Sequence, residues 1–239
     1  MFTTKTTRSQ YLTEPMLSSS KKIPIKLKST SSEKSCDKKE EPAPSTLPSG
    51  LYYVPNFITP EESKTFLLEL AQNKNWVGVT SSQKSRKVIH YGYIYSYTGG
   101  PLQATDPIPD LYQSLWGRIP HNPQFFGSPF FEKGLPEFDQ LIINEYVPGQ
   151  GIAAHTDHTT KFGPVIACIT LGSGVEIEFT RPGHESFKIY TEPNSLYIMS
   201  GDSRYLWKHA IIQRKSDTVD GKIHHRGTRI SLTFREAQV

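Results

Sequence analysis

Val165-Ile166-Ala167-Cys168-Ile169-Thr170-Leu171, Gly172-Ser173-Gly174, Val175-Glu176-Ile177-Glu178-Phe179-Thr180 and Arg181-Pro182-Gly183 form the stretch that decides the fold. A short apolar run stops at a glycine-flanked turn. Strict alternation follows, with Val175, Ile177 and Phe179 set against Glu176, Glu178 and Thr180, and then a second turn. A period of two aims alternate side chains at opposite faces, which is the pattern of successive short strands. The same texture spreads outward. Strands are expected over residues 141–147, closed by Pro148-Gly149, over 187–190, over 195–199, closed by Ser200-Gly201-Asp202, and over 229–235. Further upstream, residues 50–54 read as a short strand. Thr59-Pro60-Glu61-Glu62 reads as a helix start, with an N-cap, a proline in the first turn and early acids. That helix is expected to run to about Asn73 with Phe66, Leu67, Leu70 and Ala71 as its apolar stripe, and a second helix over 111–118. Residues 119–137 read as a loop rich in Pro, Gly and Phe. Many short strands after two helices predict an α+β fold. Its core is a jelly-roll or cupin-like barrel, a double-stranded β-helix, with the N-terminal helices packed on one side.

The chain has 239 residues and a formal net charge of +4. Residues 1–48 carry nine Lys and Arg against five Asp and Glu, which is the whole surplus; the rest carries 18 against 18. Those first 48 residues are rich in Ser, Thr, Lys, Glu and Pro and are expected to be a disordered basic tail ahead of a domain over 49–239. Within the tail, Lys21 to Lys28 reads as a solvated linker, with a nuclear address or a loose phosphate contact as the alternative. No apolar run approaches membrane-spanning length and no apolar segment follows the first basic residues, so neither a membrane nor a secretory signal is expected. Cys36 and Cys168 are too few and too far apart for a disulfide framework; Cys168 reads as a small buried hydrophobe. An intracellular monomer is expected, nuclear or cytoplasmic, with a mitochondrial address as the alternative suggested by the acid-poor start.

Chemistry enters with Arg229 and Arg235 at the two ends of Arg-Ile-Ser-Leu-Thr-Phe-Arg. Their spacing is even, so in a strand both guanidinium groups leave by one face. Two fixed cations on one sheet face call for a bidentate anion between them. His155 and Asp157 also share a face of extended chain, and His209 is the candidate third member from a distant strand. Two imidazoles and a carboxylate form the facial set of a non-heme Fe(II) oxygenase, which leaves the opposite coordination face open. Together they predict an oxygenase that consumes a small dicarboxylate. Asn144 and Tyr146 share a face of the preceding strand, where an amide and a phenol can hydrogen-bond a carboxylate without adding charge.

Four motifs in order resemble the AlkB family of Fe(II)- and 2-oxoglutarate-dependent dioxygenases of alkylated nucleic acid. They are Asn144-Glu-Tyr-Val-Pro-Gly-Gln-Gly-Ile152, His155-Thr-Asp157, Ser200-Gly-Asp-Ser-Arg-Tyr-Leu-Trp-Lys-His209, and Arg229 through Arg235. The resemblance implies that His155, Asp157 and His209 hold iron. It implies that Arg229 pairs with the distal carboxylate of 2-oxoglutarate with help from Tyr146, and that Arg235 and Asn144 fix the keto-acid end. Arg204 would orient Asp157 or line the substrate pocket, with a structural salt bridge as the alternative. The cofactors implied are Fe(II), with 2-oxoglutarate and O2 as co-substrates. The activity implied is oxidative demethylation of alkylated bases in DNA or RNA. The alternatives are hydroxylation of a modified tRNA wobble uridine, to whose family members the first and third motifs are nearest in wording, or oxidation of a protein or lipid. The chain is expected to be too short for an added RNA-recognition module or methyltransferase domain, and it ends without a cysteine-rich zinc segment.

For the substrate, Lys84-Ser85-Arg86-Lys87 is basic and is followed by Tyr91, Tyr93, Tyr95 and Tyr97 at every second position. The resemblance puts a substrate lid here. Arg86, Tyr91 and Tyr93 are the candidate substrate residues, with Tyr91, Tyr93 and Tyr95 expected on one strand face; an aromatic strand packed over the barrel is the alternative. Arg214, Lys215, Lys222, His224, His225 and Arg226 form a second basic stretch that either tracks phosphates or is an exposed loop.

Overall fold

A computed structural model describes residues 47–82, 85–119 and 137–239. The expected tail up to residue 46, almost all of the 119–137 loop, and Lys84 lie outside the described residues. In chain order the elements are β1 (Leu51–Val54), α1 (Pro60–Gln72), β2 (Val77–Gly78), β3 (Lys87–Tyr91), β4 (Tyr93–Ile94), β5 (Gln103–Ala104) and α2 (Asp110–Trp116). They continue with β6 (Gln140–Tyr146), β7 (Ile152–His155), β8 (Phe162–Gly172), β9 (Val175–Thr180), β10 (Phe187–Thr191), β11 (Leu196–Met199) and α3 (Gly201–Tyr205). The last are β12 (Lys208–Ile211), β13 (Ser216–Val219), β14 (Lys222–His225) and β15 (Arg229–Ala237).

The larger sheet runs β1-β11-β8-β15-β6-β3-β2 and the smaller one β10-β9-β12-β7; neighbours in both are antiparallel. This is a double-stranded β-helix. The period-two pattern sorts each central strand. Along β15, Ile230, Leu232 and Phe234 join Leu141 and Ile143 of β6, Ala167 and Ile169 of β8, and Phe66, Leu70, Tyr112 and Leu115 of the two helices in one core. The opposite faces of β6, β8 and β11 turn Tyr146, Ile166, Cys168, Tyr197 and Met199 inward against Val175, Ile177 and Phe179 of the smaller sheet. The central strands are thus apolar towards the helices and mixed towards the barrel interior, where Arg229, Ser231, Thr233 and Arg235 also point.

Helix α1 starts as its sequence predicts. Thr59 Oγ1 accepts from the Glu62 amide at 3.1 Å and Glu62 Oε2 accepts from the Thr59 amide at 2.8 Å, a reciprocal cap of the kind that contributes about 1 kcal/mol. Its buried stripe is Ser63, Phe66 and Leu70, with Leu67 half-buried; Ala71 faces solvent. The stripe therefore begins one turn earlier than expected. A serine can serve where the helix crosses close to the sheet, and position 71 is rotated off the face. Helix α2 stops before Arg118 and buries Tyr112 and Leu115 rather than Leu111.

The tyrosine-rich run is not one strand. Gly92, at φ 74°, separates β3 from β4; a Cβ there would stand 1.8 Å from the Asp139 carbonyl oxygen, so only glycine fits. Cys168 is buried, as its apolar strand implies, with Sγ 3.0 Å from Ser231 Oγ. No helix among the described residues is long and apolar enough to cross a membrane.

Candidate active site

Strand pairing builds the triad. His209 of β12 is the register partner of His155 at the end of β7, and the two rings lie 4.3 Å apart. Asp157 follows two residues later. Among the described residues, His155, Asp157 and His209 offer ligand atoms that all lie within 4.8 Å of one another. His155 Nδ1 sits 2.8 Å from the Ala153 carbonyl, which holds the ring proton there and leaves Nε2 free to ligate, 3.9 Å from Asp157 Oδ1. Burial lowers the His209 imidazole to about 4, partly opposed by Asp157, so this ring is neutral near pH 7. Burial alone would raise the Asp157 carboxyl, but Arg235, His209, His155 and Arg204 hold it below the usual carboxylate range. A neutral imidazole and an ionised carboxylate are the forms that bind a metal.

Arg204 does not line the cavity. It is buried on α3, where Nη1 donates to the Asp157 carbonyl (2.8 Å) and Nη2 to those of His158 (3.1 Å) and Phe162 (3.3 Å); Nε reaches Gly163 (3.4 Å). Of the roles implied for it, the geometry favours positioning. It holds the 157–163 loop by its main chain and so fixes where Asp157 stands.

The two arginines of β15 point into the same space. Arg229 donates through Nη2 to Thr170 Oγ1 (3.0 Å), lies 5.6 Å from the Tyr146 ring centre, and keeps a buried Nε without a hydrogen-bond partner. Arg235 donates through Nε to Gln140 Oε1 (2.8 Å) and through Nη1 to Asp157 Oδ1 (3.4 Å), lies 3.8 Å from the Phe162 ring centre, and also keeps a buried unpartnered nitrogen, Nη2. A buried N–H without an acceptor is costly and charged ones more so. Two of them beside a His-Asp-His set fit a bound dicarboxylate. Burial raises the Tyr146 phenol, against the pull of Arg86 and Arg229, and raises Tyr197 strongly, so both remain O–H donors. Tyr197, Thr170, Ser231 and Thr233 add hydroxyls to this end of the barrel. Sequence reasoning passed over them, although Ser231 and Thr233 stand at the even positions between the two arginines.

Triad and arginines open on one cavity of about 530 Å³. Its outer wall holds Arg86, Tyr95 and Tyr97. Arg86 Nε donates to Asn144 Oδ1 (3.2 Å) and Nη2 to the Tyr97 phenol oxygen (3.1 Å). The expected place of Tyr91 and Tyr93 is corrected. Tyr91 pairs with Leu141 across β3 and β6, on the helix side, where its phenol accepts from Asn73 Nδ2 and its ring tilts against Tyr112. Tyr93 lies beyond the Gly92 break on β4, and neither lines the cavity. Tyr97 lines the cavity where they were expected to; its even spacing after Tyr95 was the available signal. The second basic stretch is corrected in part. Arg226 is bonded twice to Asp217 (2.6 and 2.7 Å), and Arg214 is bonded to Asp217 (2.7 Å) and Glu176 (2.6 Å), so neither is free to follow a phosphate backbone.

Residues 50–235 match the sequence profile of the 2OG-Fe(II) oxygenase superfamily. The tRNA (carboxymethyluridine(34)-5-O)-methyltransferase alkbh8 of Xenopus tropicalis is 35% identical over 84% of this chain, which covers 33% of the frog protein. The chain belongs to the AlkB family of this superfamily. Its iron is Fe(II), and its co-substrates are 2-oxoglutarate and O2. An uncharacterised protein, L905 of Acanthamoeba polyphaga mimivirus, is 35% identical, with 78% of this chain and 84% of that protein covered. Among solved structures, OsALKBH1 aligns with a TM-score of 0.59 at 17% identity over 80% of this chain and 100% of its own, a likeness of fold. The chain spans about a third of the length of the first curated relatives it matches. Within this AlkB chain, His155, Asp157 and His209 form the metal-ligand cluster, and Arg229, Arg235, Tyr146 and Asn144 line the same cavity.

Proposed function

We propose that this chain oxidises a C–H bond on a substituent of an unstacked nucleobase in RNA, a tRNA uridine in the first instance. Iron with 2-oxoglutarate and O2 supplies that oxidation, releasing succinate and CO2. The chain's own residues do the rest. Arg229 and Tyr146 grip the dicarboxylate, Arg204 fixes the loop that carries Asp157, and the barrel keeps the chemistry away from bulk water. The observation that carries the reading is the cavity lining, where two phenol rings and a guanidinium, Tyr95, Tyr97 and Arg86, share one space with the triad. A base must leave its stack to meet such a site, and ring faces of this kind receive it. The tRNA in the names of the first curated relatives, which are more similar than the plant relative named for DNA repair, favours RNA over DNA.

The same step has two ends. On a carbon bonded to nitrogen, the hydroxylated product breaks down to formaldehyde and the base is demethylated. On a carbon bonded to carbon, the hydroxyl stays. The relatives' names specify a carboxymethyluridine, which favours a stable hydroxyl on that substituent over demethylation of an N-alkyl base. Mass spectrometry of nucleosides from tRNA incubated with the enzyme, Fe(II) and 2-oxoglutarate tests this directly. A product heavier by one oxygen supports hydroxylation; loss of a methyl with formaldehyde release supports demethylation. An unchanged nucleoside profile alongside steady succinate release overturns the nucleic-acid reading.

A further inference from the structure

A second cavity, about 840 Å³, lies on the far side of the Tyr95–Tyr97 wall. The two cavities share those rings, which meet edge to face at 5.2 Å between centres. Val79 and Thr98 also belong to both linings. The second cavity is not a greasy hole. Its lining presents His90, Gln103 and Asp106, with Lys74 at its edge. His90 carries a buried Nδ1 without a hydrogen-bond partner, an unmet polar atom beside an open space. Gln103, on β5, and Asp106, just after it, are both exposed, so their side chains are available to a ligand.

We infer that this cavity is an accessory base subsite, which takes one nucleotide neighbouring the target in single-stranded RNA. The inference rests on the nucleic-acid reading above. The chemistry of the lining selects the occupant. Ring faces receive a base by stacking whatever its identity. A carboxylate and an amide oxygen accept N–H donors, as an acidic side chain does from the exocyclic amine of cytosine. Lys74 stands where a backbone phosphate enters. Bases that carry an amino group, cytosine, adenine and guanine, are therefore preferred over uracil. With the target base in the first cavity and its neighbour in the second, the tyrosine pair stands between the two and keeps them unstacked. Tyr95 and Tyr97 contribute to both cavities, which couples recognition of the neighbour to seating of the target.

Equilibrium binding of single-stranded RNA heptamers to the full chain with Fe(II) and 2-oxoglutarate, kept anaerobic, tests the subsite. The probes are an all-uridine heptamer and the same heptamer with one cytidine, adenosine or guanosine beside the central uridine. One amino-bearing base is expected to tighten binding roughly 2- to 10-fold, the range for one net hydrogen bond beyond the stacking that uracil also makes. Asp106→Asn and Gln103→Ala are each expected to shrink that increment, because both side chains are exposed and their replacement leaves the core untouched. A preference that is absent, or that survives both substitutions, overturns the subsite alone if the heptamers still bind. Failure of every heptamer to bind overturns both the subsite and the nucleic-acid reading beneath it.

Discussion

At the scale of the residue, the site is a set of side chains whose partners are only partly supplied by the protein. Asp157→Ala removes the carboxylate that Arg235 and both histidines face, and Fe(II)-dependent succinate release is expected to vanish; retained release would refute the ligand set. Arg229→Lys keeps the charge and loses the fork. The KM for 2-oxoglutarate is expected to rise about 10- to 100-fold with a smaller change in kcat, measured by succinate formation across 2-oxoglutarate concentrations. Arg204→Lys leaves carbonyls of the 157–163 loop short of donors, and Fe(II) affinity is expected to fall roughly 10- to 100-fold, read by metal titration of the apoprotein. Much of this was legible in the sequence, because the even spacings of His155 and Asp157, Asn144 and Tyr146, and Arg229 and Arg235 carry face information. The task of Arg204 came only as one alternative among those the resemblance implied, since its acceptors are main-chain carbonyls that any sequence supplies. Tyr91 misled for the opposite reason. It keeps the even spacing, but the glycine that follows redirects the chain, and a periodicity argument is blind to a break in the backbone.

At the scale of the element, the strands were read well and their accessories less so. Alternation along β9 and β15 shows in sequence because one face meets the helix-side core or the interior and the other does not. The β13–β14 hairpin, by contrast, reads as a basic stretch, and only tertiary contact reveals that two of its flanking arginines are neutralised. Asp217, fully buried, accepts from Arg226 and Arg214 and from the Glu176 amide. Asp217→Ala would strand Arg226 in the interior and is expected to cost about 3–5 kcal/mol of stability, measured by denaturant unfolding. Burial would raise the Asp217 carboxyl, but the bonds from Arg226 and Arg214 hold it below its usual value. A depressed folded-state pKa contributes stability that is complete above the unfolded carboxylate value and lost as pH falls through the folded one. The wild-type melting temperature is therefore expected to fall towards that of Asp217→Asn as pH drops below about 4, with the gap full and constant above it. A gap independent of pH would contradict the ion-pair account.

At the scale of the whole molecule, charge and chemistry are segregated. The basic surplus stands before residue 49, while the oxygenase profile begins at residue 50 and the rest of the chain is formally neutral. Salt dependence of RNA binding should then reside largely in the tail. A chain starting at residue 47 is expected to show a shallower fall of log affinity with log salt, and an unchanged affinity for 2-oxoglutarate; equal slopes would place the phosphate contacts on the barrel. The barrel itself brings an iron triad from one sheet and an arginine pair from the other to a single interior. That shared interior is the central claim, and linkage makes it measurable, since two ligands that meet in one cavity alter each other's affinity reciprocally. Titration of 2-oxoglutarate into the full chain without oxygen, with and without Fe(II), is the direct measurement. The dicarboxylate is expected to bind more tightly when iron is present, with that gain lost in Asp157→Ala and nearly all binding lost in Arg229→Ala. A 2-oxoglutarate affinity indifferent to both the metal and Arg229 would contradict it.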